Sequence, residues 1–276
     1  MIHRQKDRLG EEEIIGSGSK KRPPWLVMVY LVLVYLFLFL PSLVVVLMSF
    51  NSSRLSFFPL EGISLRWYQA LFSDRLMWLG ARNSLLVALT TMIVSTVLGL
   101  MFAYAMNRFR FPGKGFLTSL VMAPMLTPGV IIGISLLSFY YSLGIPRGLG
   151  TVLLAHVVLA IPYTTLVIAS RIQGFDLSLE EAARNLGAGE WTVLRKVTLP
   201  LLWPGILAAA LFAFTISVDE FVVTFFVIGE RAVTLPIKIY TGVRFGISPE
   251  VNAISSLVIL FSTVILGLAL GRQARA

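Results

Sequence analysis

Six long apolar runs dominate this sequence, and they leave few ways for it to fold. They cover residues 25–50, 83–106, 116–143, 149–170, 204–229 and 252–271. A hydrocarbon layer about 30 Å thick, crossed at about 1.5 Å per residue, requires roughly 20 apolar residues per helix. Each run meets that length. None alternates with period two, so helices rather than barrel strands satisfy the backbone inside lipid. Composition decides the same question independently. Hydrophobic residues make up 57% of the chain and charged residues 13%, against about 25% charged in an average soluble domain. Such a chain cannot cover its own core with polar surface in water. The expected fold is all-α and integral to a membrane, with six transmembrane helices in residues 25–271 and polar tails at 1–24 and 272–276. Pro124, Pro128 and Pro162 interrupt the third and fourth runs and are expected to kink or locally break them.

The charge pattern orients the spans. With the N-terminus inside, the cytoplasmic segments hold fifteen of the 23 Lys and Arg residues. That bias places both termini in the cytoplasm. The net charge of +9 therefore reads as topology, not as nucleic-acid binding. The chain has no cysteine, which excludes disulfides, cysteine-held zinc or iron–sulfur centres and a thiol nucleophile. Two histidines are too few for a His-rich metal centre. The first apolar run is too long for a signal-peptide core and is read as a retained span. In the outside loop 51–82, Leu65, Tyr68, Leu71, Phe72 and Leu76 recur at helical spacing. Trp67, Tyr68 and Trp78 suit the headgroup level, so an interfacial helix is expected there.

The segment 171–203, between the fourth and fifth runs, is the most informative. Ser178 is placed to cap a helix, with Glu181 reaching back to complete a capping box. Glu180 and Glu181 both suit the positive end of a helix dipole. Gly187 is placed to end that helix in a left-handed conformation. A second helical run follows over 190–197, and Pro200 and Pro204 are expected to close it. The product is a short helix–turn–helix at the cytoplasmic face. Physics alone leaves two uses open: a rigid knob that receives force from a partner, or an amphipathic surface loop.

Asp219 and Glu220 stand together in the otherwise apolar fifth run. An ionised side chain there costs roughly 2.5–3.5 kcal/mol. Water, a partner charge or a pathway lining must offset that cost. One reading is a cation-attracting or gating element on a translocation path. The other is a structural hydrogen-bonding pair at a helix interface. Phe221 beside them can meet an ammonium through its ring face. His156 reads as a packed helix residue rather than a ligand.

The residues Glu181-Ala182-Ala183, Gly187 and Val197-Thr198-Leu199-Pro200 resemble the EAA loop of permease subunits of binding-protein-dependent ABC importers. That pattern is E-A-A, three residues, G, nine residues, I-x-L-P, and Val197 in place of Ile is the one departure. The segments "SVDEFVVTFFV" and "TLPIKIYTGVRFGISPEVNAISSL" are similar to permeases of the spermidine/putrescine type, with Val218 and Glu220 as departures. The resemblance implies that Glu181, Ala182, Ala183, Gly187, Leu199 and Pro200 serve contact with a cytoplasmic ABC ATPase dimer. No phosphate-binding loop is visible here; Gly113-Lys114-Gly115 lacks the rest of that motif. ATP and Mg are thus expected on a separate chain, and this chain is expected to be a transport subunit, not an enzyme, with no cofactor of its own. The other implied partners are a second homologous permease, membrane lipid and an extracytoplasmic substrate-binding protein facing Tyr240 and Arg244. Asp219, Glu220 and Phe221 become candidates for the substrate path. The implied setting is the bacterial cytoplasmic membrane and the implied cargo a polyamine. Alternatives are another small cationic or organic solute, or an ion-coupled secondary transporter, for which no inverted repeat is visible.

Overall fold

The computed structural model describes residues 24–53, 60–244 and 249–273. The tails at 1–23 and 274–276, and Gly246-Ile247-Ser248 of the C-terminal motif, lie outside the described residues. In chain order the helices are α1 (Pro24–Ser49), α2 (Arg66–Ser73), α3 (Arg75–Arg108), α4 (Lys114–Leu126), α5 (Gly129–Ser142), α6 (Leu149–Gln173) and α7 (Ser178–Asn185). They continue with α8 (Glu190–Val193), a π turn (Leu194–Thr198), α9 (Leu199–Asp219), α10 (Val222–Val227), α11 (Leu235–Arg244) and α12 (Pro249–Gln273). The chain divides into two compact units, Met1–Leu65 with Asn252–Ala276, and Arg66–Val251.

Four helices are long and apolar enough to cross a membrane: Trp25–Ser49, Arg75–Arg108, Leu149–Gln173 and Glu190–Asp219. The third run forms α4 and α5, which meet at 110° and would make a fifth, broken span. The sixth run is covered by α12, whose apolar stretch among the described residues is Pro249–Leu260. The chain is therefore an all-helical, multi-pass membrane protein, though length and apolarity among these residues account for five crossings, not six. The helix expected in the outside loop is present as α2. Its Trp67 and Leu71 are buried, and the guanidinium of Arg66 lies 4.2 Å from the Trp67 ring centroid.

The prolines behave differently from one another. Thr127 is extended (φ −96°, ψ 131°), the conformation that a following proline favours. Pro128 then opens α5, so the third run breaks there as expected. Pro162, by contrast, sits buried inside an unbroken α6. The Thr164 hydroxyl two residues on donates to the Ser95 carbonyl of α3 at 2.8 Å, and such neighbours hold a proline-bearing helix together. Nor do Pro200 and Pro204 close the second loop helix. α8, the π turn and α9 form one helix, Glu190–Asp219. The Leu199 N–H bonds back five residues to the Leu194 carbonyl, and the α register restarts there. Pro200 thus falls in the first turn of the restarted register, where a missing N–H costs least.

Within the larger unit, α3, α6 and α9 pack through small residues. Ala88, Ala103, Ala155, Ala160, Ala209 and Ala213 are fully buried. Without a hydrophobic driving force in lipid, such close approach supplies the van der Waals contact that holds helices together. One apolar cluster joins Val87, Val152, Leu159, Val223 and Val227 across α3, α6 and α10. A second joins Ala103, Ile168, Ile172 and Leu202 across α3, α6 and α9. α3 and α6 approach closely at Gly99. A Cβ there would lie 2.2 Å from Thr164 Oγ1, 2.8 Å from Thr164 Cβ and 3.0 Å from the Thr165 backbone nitrogen. Gly99→Ala is expected to destabilise the detergent-purified protein by about 1–3 kcal/mol, an overpacking cost. Adding Thr164→Ala should recover part of that loss, as measured by thermal unfolding.

Candidate functional site

The loop helix α7 begins differently from the sequence expectation. Leu177 is already helical (φ −64°, ψ −22°), and the carboxylate of Asp176 accepts the Ser178 N–H at 2.9 Å. Asp176 therefore caps the helix. Ser178 lies inside the first turn, so the expected cap from Ser178 does not form. The N–H and hydroxyl of Ser178 hold the Asp176 carboxyl below the usual carboxylate range. The end of α7 is as expected. Gly187 has φ +86°, its N–H bonds the Arg184 carbonyl at 2.9 Å, and the Ala188 N–H bonds the Ala183 carbonyl at 3.1 Å. Those two bonds are a Schellman closure, for which the left-handed glycine is suited.

Neighbouring helical residues point about 100° apart, and this separates two adjacent glutamates. Glu181 and Ala182 are exposed, as is Gly187, and Ala183 is half-buried. Leu186 is 90% and Trp191 71% exposed, so the knob shows apolar side chains beside Glu181. Leu199 is half-buried and Pro200 exposed at the base of α9. Glu180 turns the other way and is 1% exposed. Its Oε1 accepts from Arg108 of α3 at 2.5 Å and from the Thr198 hydroxyl of the π turn at 2.6 Å. Arg184 approaches its Oε2 at 3.6 Å and forks onto Glu190 with bonds of 2.7 and 3.1 Å. Sequence reasoning gave Glu180 only a favourable place on the helix dipole. The available signal was Arg184 four residues on; nothing in the spacing links position 180 to Arg108.

At the other end of α9 the acidic pair does not lie within a continuous helix. Asp219 is the last residue of α9, and Glu220 is extended (φ −71°, ψ 106°). The Glu220 carboxylate accepts the Val223 N–H at 2.8 Å, which caps α10. Its carbonyl accepts the Thr224 hydroxyl at 2.9 Å. With its proton so committed, Thr224 accepts from His156 Nε2, 2.7 Å away. His156 Nδ1 then accepts from the Ser217 hydroxyl at 2.7 Å. His156, 2% exposed, thus ties α6 to both sides of the break. It is a packed residue with both ring nitrogens engaged.

Asp219 is exposed. Beside it Phe221, Phe225 and Tyr240 form an aromatic cluster. The Phe221 ring centroid is 4.7 Å from that of Tyr240 and 5.8 Å from that of Phe225. The structure thus brings Phe221 and Tyr240 together, although the sequence assigned them to different tasks. Arg244, at the end of α11, is exposed. α11 itself is fastened to the start of α3. Lys238 pairs with Asp74 at 3.0 Å, the Leu235 N–H donates to Ser84 Oγ at 2.8 Å, and Asn83 Nδ2 donates to the Val233 carbonyl at 2.8 Å. Burial raises the Asp74 carboxyl, but Lys238 and the N–H groups of Met77 and Leu76 outweigh it and hold the group below its ordinary value.

His156→Leu should leave the hydroxyls of Ser217 and Thr224 without their shared partner and loosen the break. The expected loss is about 1–2 kcal/mol, the scale of interhelical hydrogen bonds in membranes. His156→Gln, which can still donate and accept, should recover part of it in the same thermal unfolding measurement.

Residues 95–275 match the family described as binding-protein-dependent transport system inner membrane component. The spermidine/putrescine transport system permease protein PotC of Escherichia coli (strain K12) is 36% identical over 235 residues, which is 85% of this chain and 89% of PotC. The putrescine transport system permease protein PotI of the same strain is 39% identical over 245 residues, 86% of each chain. Among solved structures, a bacterial ABC transporter involved in import of the acidic polysaccharide alginate aligns with a TM-score of 0.65 at 17% identity, covering 90% of this chain and 95% of that one. The MetNI methionine ABC transporter, in inward-facing conformations, aligns with a TM-score of 0.57 at 18% identity over 77% of this chain and 98% of the other. These two share the fold. By family match and by relatives that extend over most of its length, this chain belongs to the inner-membrane permease subunits of binding-protein-dependent ABC importers.

Proposed function

We propose that this chain is one permease of a polyamine importer, taking up spermidine or putrescine delivered by a soluble binding protein. The observation that carries the cargo is the 36–39% identity to PotC and PotI over 85–86% of the chain. The exposed pair of Asp219 and the half-buried Phe221–Tyr240 cluster suits a cationic solute. A carboxylate attracts an ammonium, and aromatic faces attract it further through their quadrupoles. The end of the bundle that carries Asp74, Lys238 and Arg244 faces outward in this reading. It meets the loaded binding protein through Tyr240 and Arg244.

The opposite end, with α7, faces the cytoplasm, as do both termini. Glu181, Ala182, Ala183 and Gly187, with Leu199 and Pro200 at the base of α9, meet one subunit of an ATPase dimer that binds ATP and Mg. The exposed Leu186 and Trp191 are apolar surface for the same partner. A second, related permease completes the pathway. ATP closure and the loaded binding protein each stabilise one of two states of the assembly, and alternation between those states moves the solute.

The test is reconstitution with the ATPase, the second permease and the binding protein, together with identification of the ligand on that binding protein. Glu181→Ala with Gly187→Val should insert normally but lower uptake at least tenfold, because the docking face loses its charge and its left-handed turn. Asp219→Asn should raise the substrate concentration for half-maximal uptake several-fold without loss of ATPase from the complex. A non-cationic ligand on the binding protein, or unchanged uptake in both variants, would refute the reading.

A further inference from the structure

We infer that Glu180, the buried neighbour of the exposed Glu181, is the joint that makes α7 and the membrane helices α3 and α9 move as one lever. The inference rests on the reading of α7 as the ATPase contact and assigns a different residue to a different step. Glu181 receives the partner; Glu180 passes the displacement on.

The chain connections of α7 cannot do this alone. Gly174 precedes it, and Gly187 and Gly189 follow it. These connections join α7 only to α6 and α8, with Gly187 held in its Schellman closure. The side-chain contacts supply the link to α3. One carboxylate oxygen of Glu180 takes hydrogen bonds from Arg108, the last residue of α3, and from Thr198, the last residue of the π turn that leads into α9. Its other oxygen faces Arg184, which forks onto Glu190 at the start of the long helix. Arg108 also lies against two aromatic rings, with its guanidinium carbon 5.7 Å from the centroids of Tyr104 and Phe175. Each of these bonds is directional, and charge-assisted bonds are the strong ones. A buried ion pair is weak evidence for stability against an apolar substitute, so its use here is to fix geometry. The π turn falls at the same point, and such single turns mark functional positions in helices.

Glu180 is thus a positioning residue, and the quantity it governs is substrate moved per ATP hydrolysed. The reconstituted complex is compared with Glu180→Gln, Thr198→Val, Arg108→Met, the double variant Arg108→Met/Glu180→Gln, and Glu181→Ala. Two readings are taken: retention of the ATPase on the purified complex, and substrate transported per ATP. Glu180→Gln and Thr198→Val should retain the ATPase within about twofold and still hydrolyse ATP, while transport per ATP falls at least fivefold. The double variant should be no worse than the worse of its singles, since both remove one shared interaction. Glu181→Ala should instead lose ATPase. Thr198→Val keeps the ion pair and decides alone, with the same thresholds, if Glu180→Gln does not assemble. Normal transport per ATP in these variants overturns the joint, as does loss of ATPase equal to that of Glu181→Ala. Lost retention in Glu181→Ala beside normal coupling in Glu180→Gln sinks the joint and keeps the docking. Unchanged retention in Glu181→Ala beside poor coupling in Glu180→Gln does the reverse.

Discussion

A helix in hydrocarbon cannot be interrupted without leaving backbone donors and acceptors unmatched, and the larger unit of this protein is organised around how its interruptions are repaired. After Asp219 the repair is local and polar. Glu220 caps α10, Thr224 returns to the Glu220 carbonyl, and His156 closes the circuit from a neighbouring helix. At Pro128 one donor is simply absent, and the chain turns by 110°. Over Leu194–Thr198 the ladder widens to a π turn, and the α register resumes at Leu199. The breaks differ in the groups they recruit. The one after Asp219 leaves that residue exposed two positions before Phe221.

The same accounting separates the two acidic pairs among the described residues. In each, one member is consumed by structure and its neighbour is left outward. Glu180 is satisfied by Arg108 and Thr198, while Glu181 is exposed. Glu220 is spent on a helix N-terminus, while Asp219 is exposed. A buried carboxylate without partners would cost several kcal/mol, so the inward member of each pair must be matched before the outward one is free for contact. The structural reading therefore holds for Glu180 and Glu220, and it leaves the side chains of Glu181 and Asp219 exposed.

Much of the fold was legible because it follows from length and apolarity. The runs, the break at Pro128, the helix α2 and the left-handed Gly187 are local matters, decided by a few consecutive residues. What failed turned on contacts that residue type alone does not reveal. Ser178 looked like a cap because nothing local reveals that Leu177 is already helical. Pro162 was expected to kink or break its helix, and the sequence does not show Thr164 reaching Ser95 on α3, where α6 stays continuous. Pro200 looked like a terminator because a π turn has no composition signature. At the candidate site, Glu181, Ala182 and Gly187 were readable from a motif with fixed spacing. The role of Glu180 was not, since its principal partner lies 72 residues away. Phe221 and Tyr240 were each singled out, but their ring contact depends on the return of α11 toward the break.

The long helix Glu190–Asp219 gives these features a common axis. From Thr198 to Asp219 it runs about 30 Å at 1.5 Å per residue. Its start is bonded to Glu180, and its end carries the break held by His156. A helix of this length, packed through Ala209 and Ala213 against α3 and α6, does not compress. Displacement at one end must therefore appear at the other as translation or rotation. At the break Glu220 is extended and the Phe221 carbonyl opens α10, while His156 holds both sides against α6 through Ser217 and Thr224. Packed interfaces shift between discrete arrangements rather than deforming smoothly. A rotation of α9 would thus have to carry His156 with it or break its bond to Ser217.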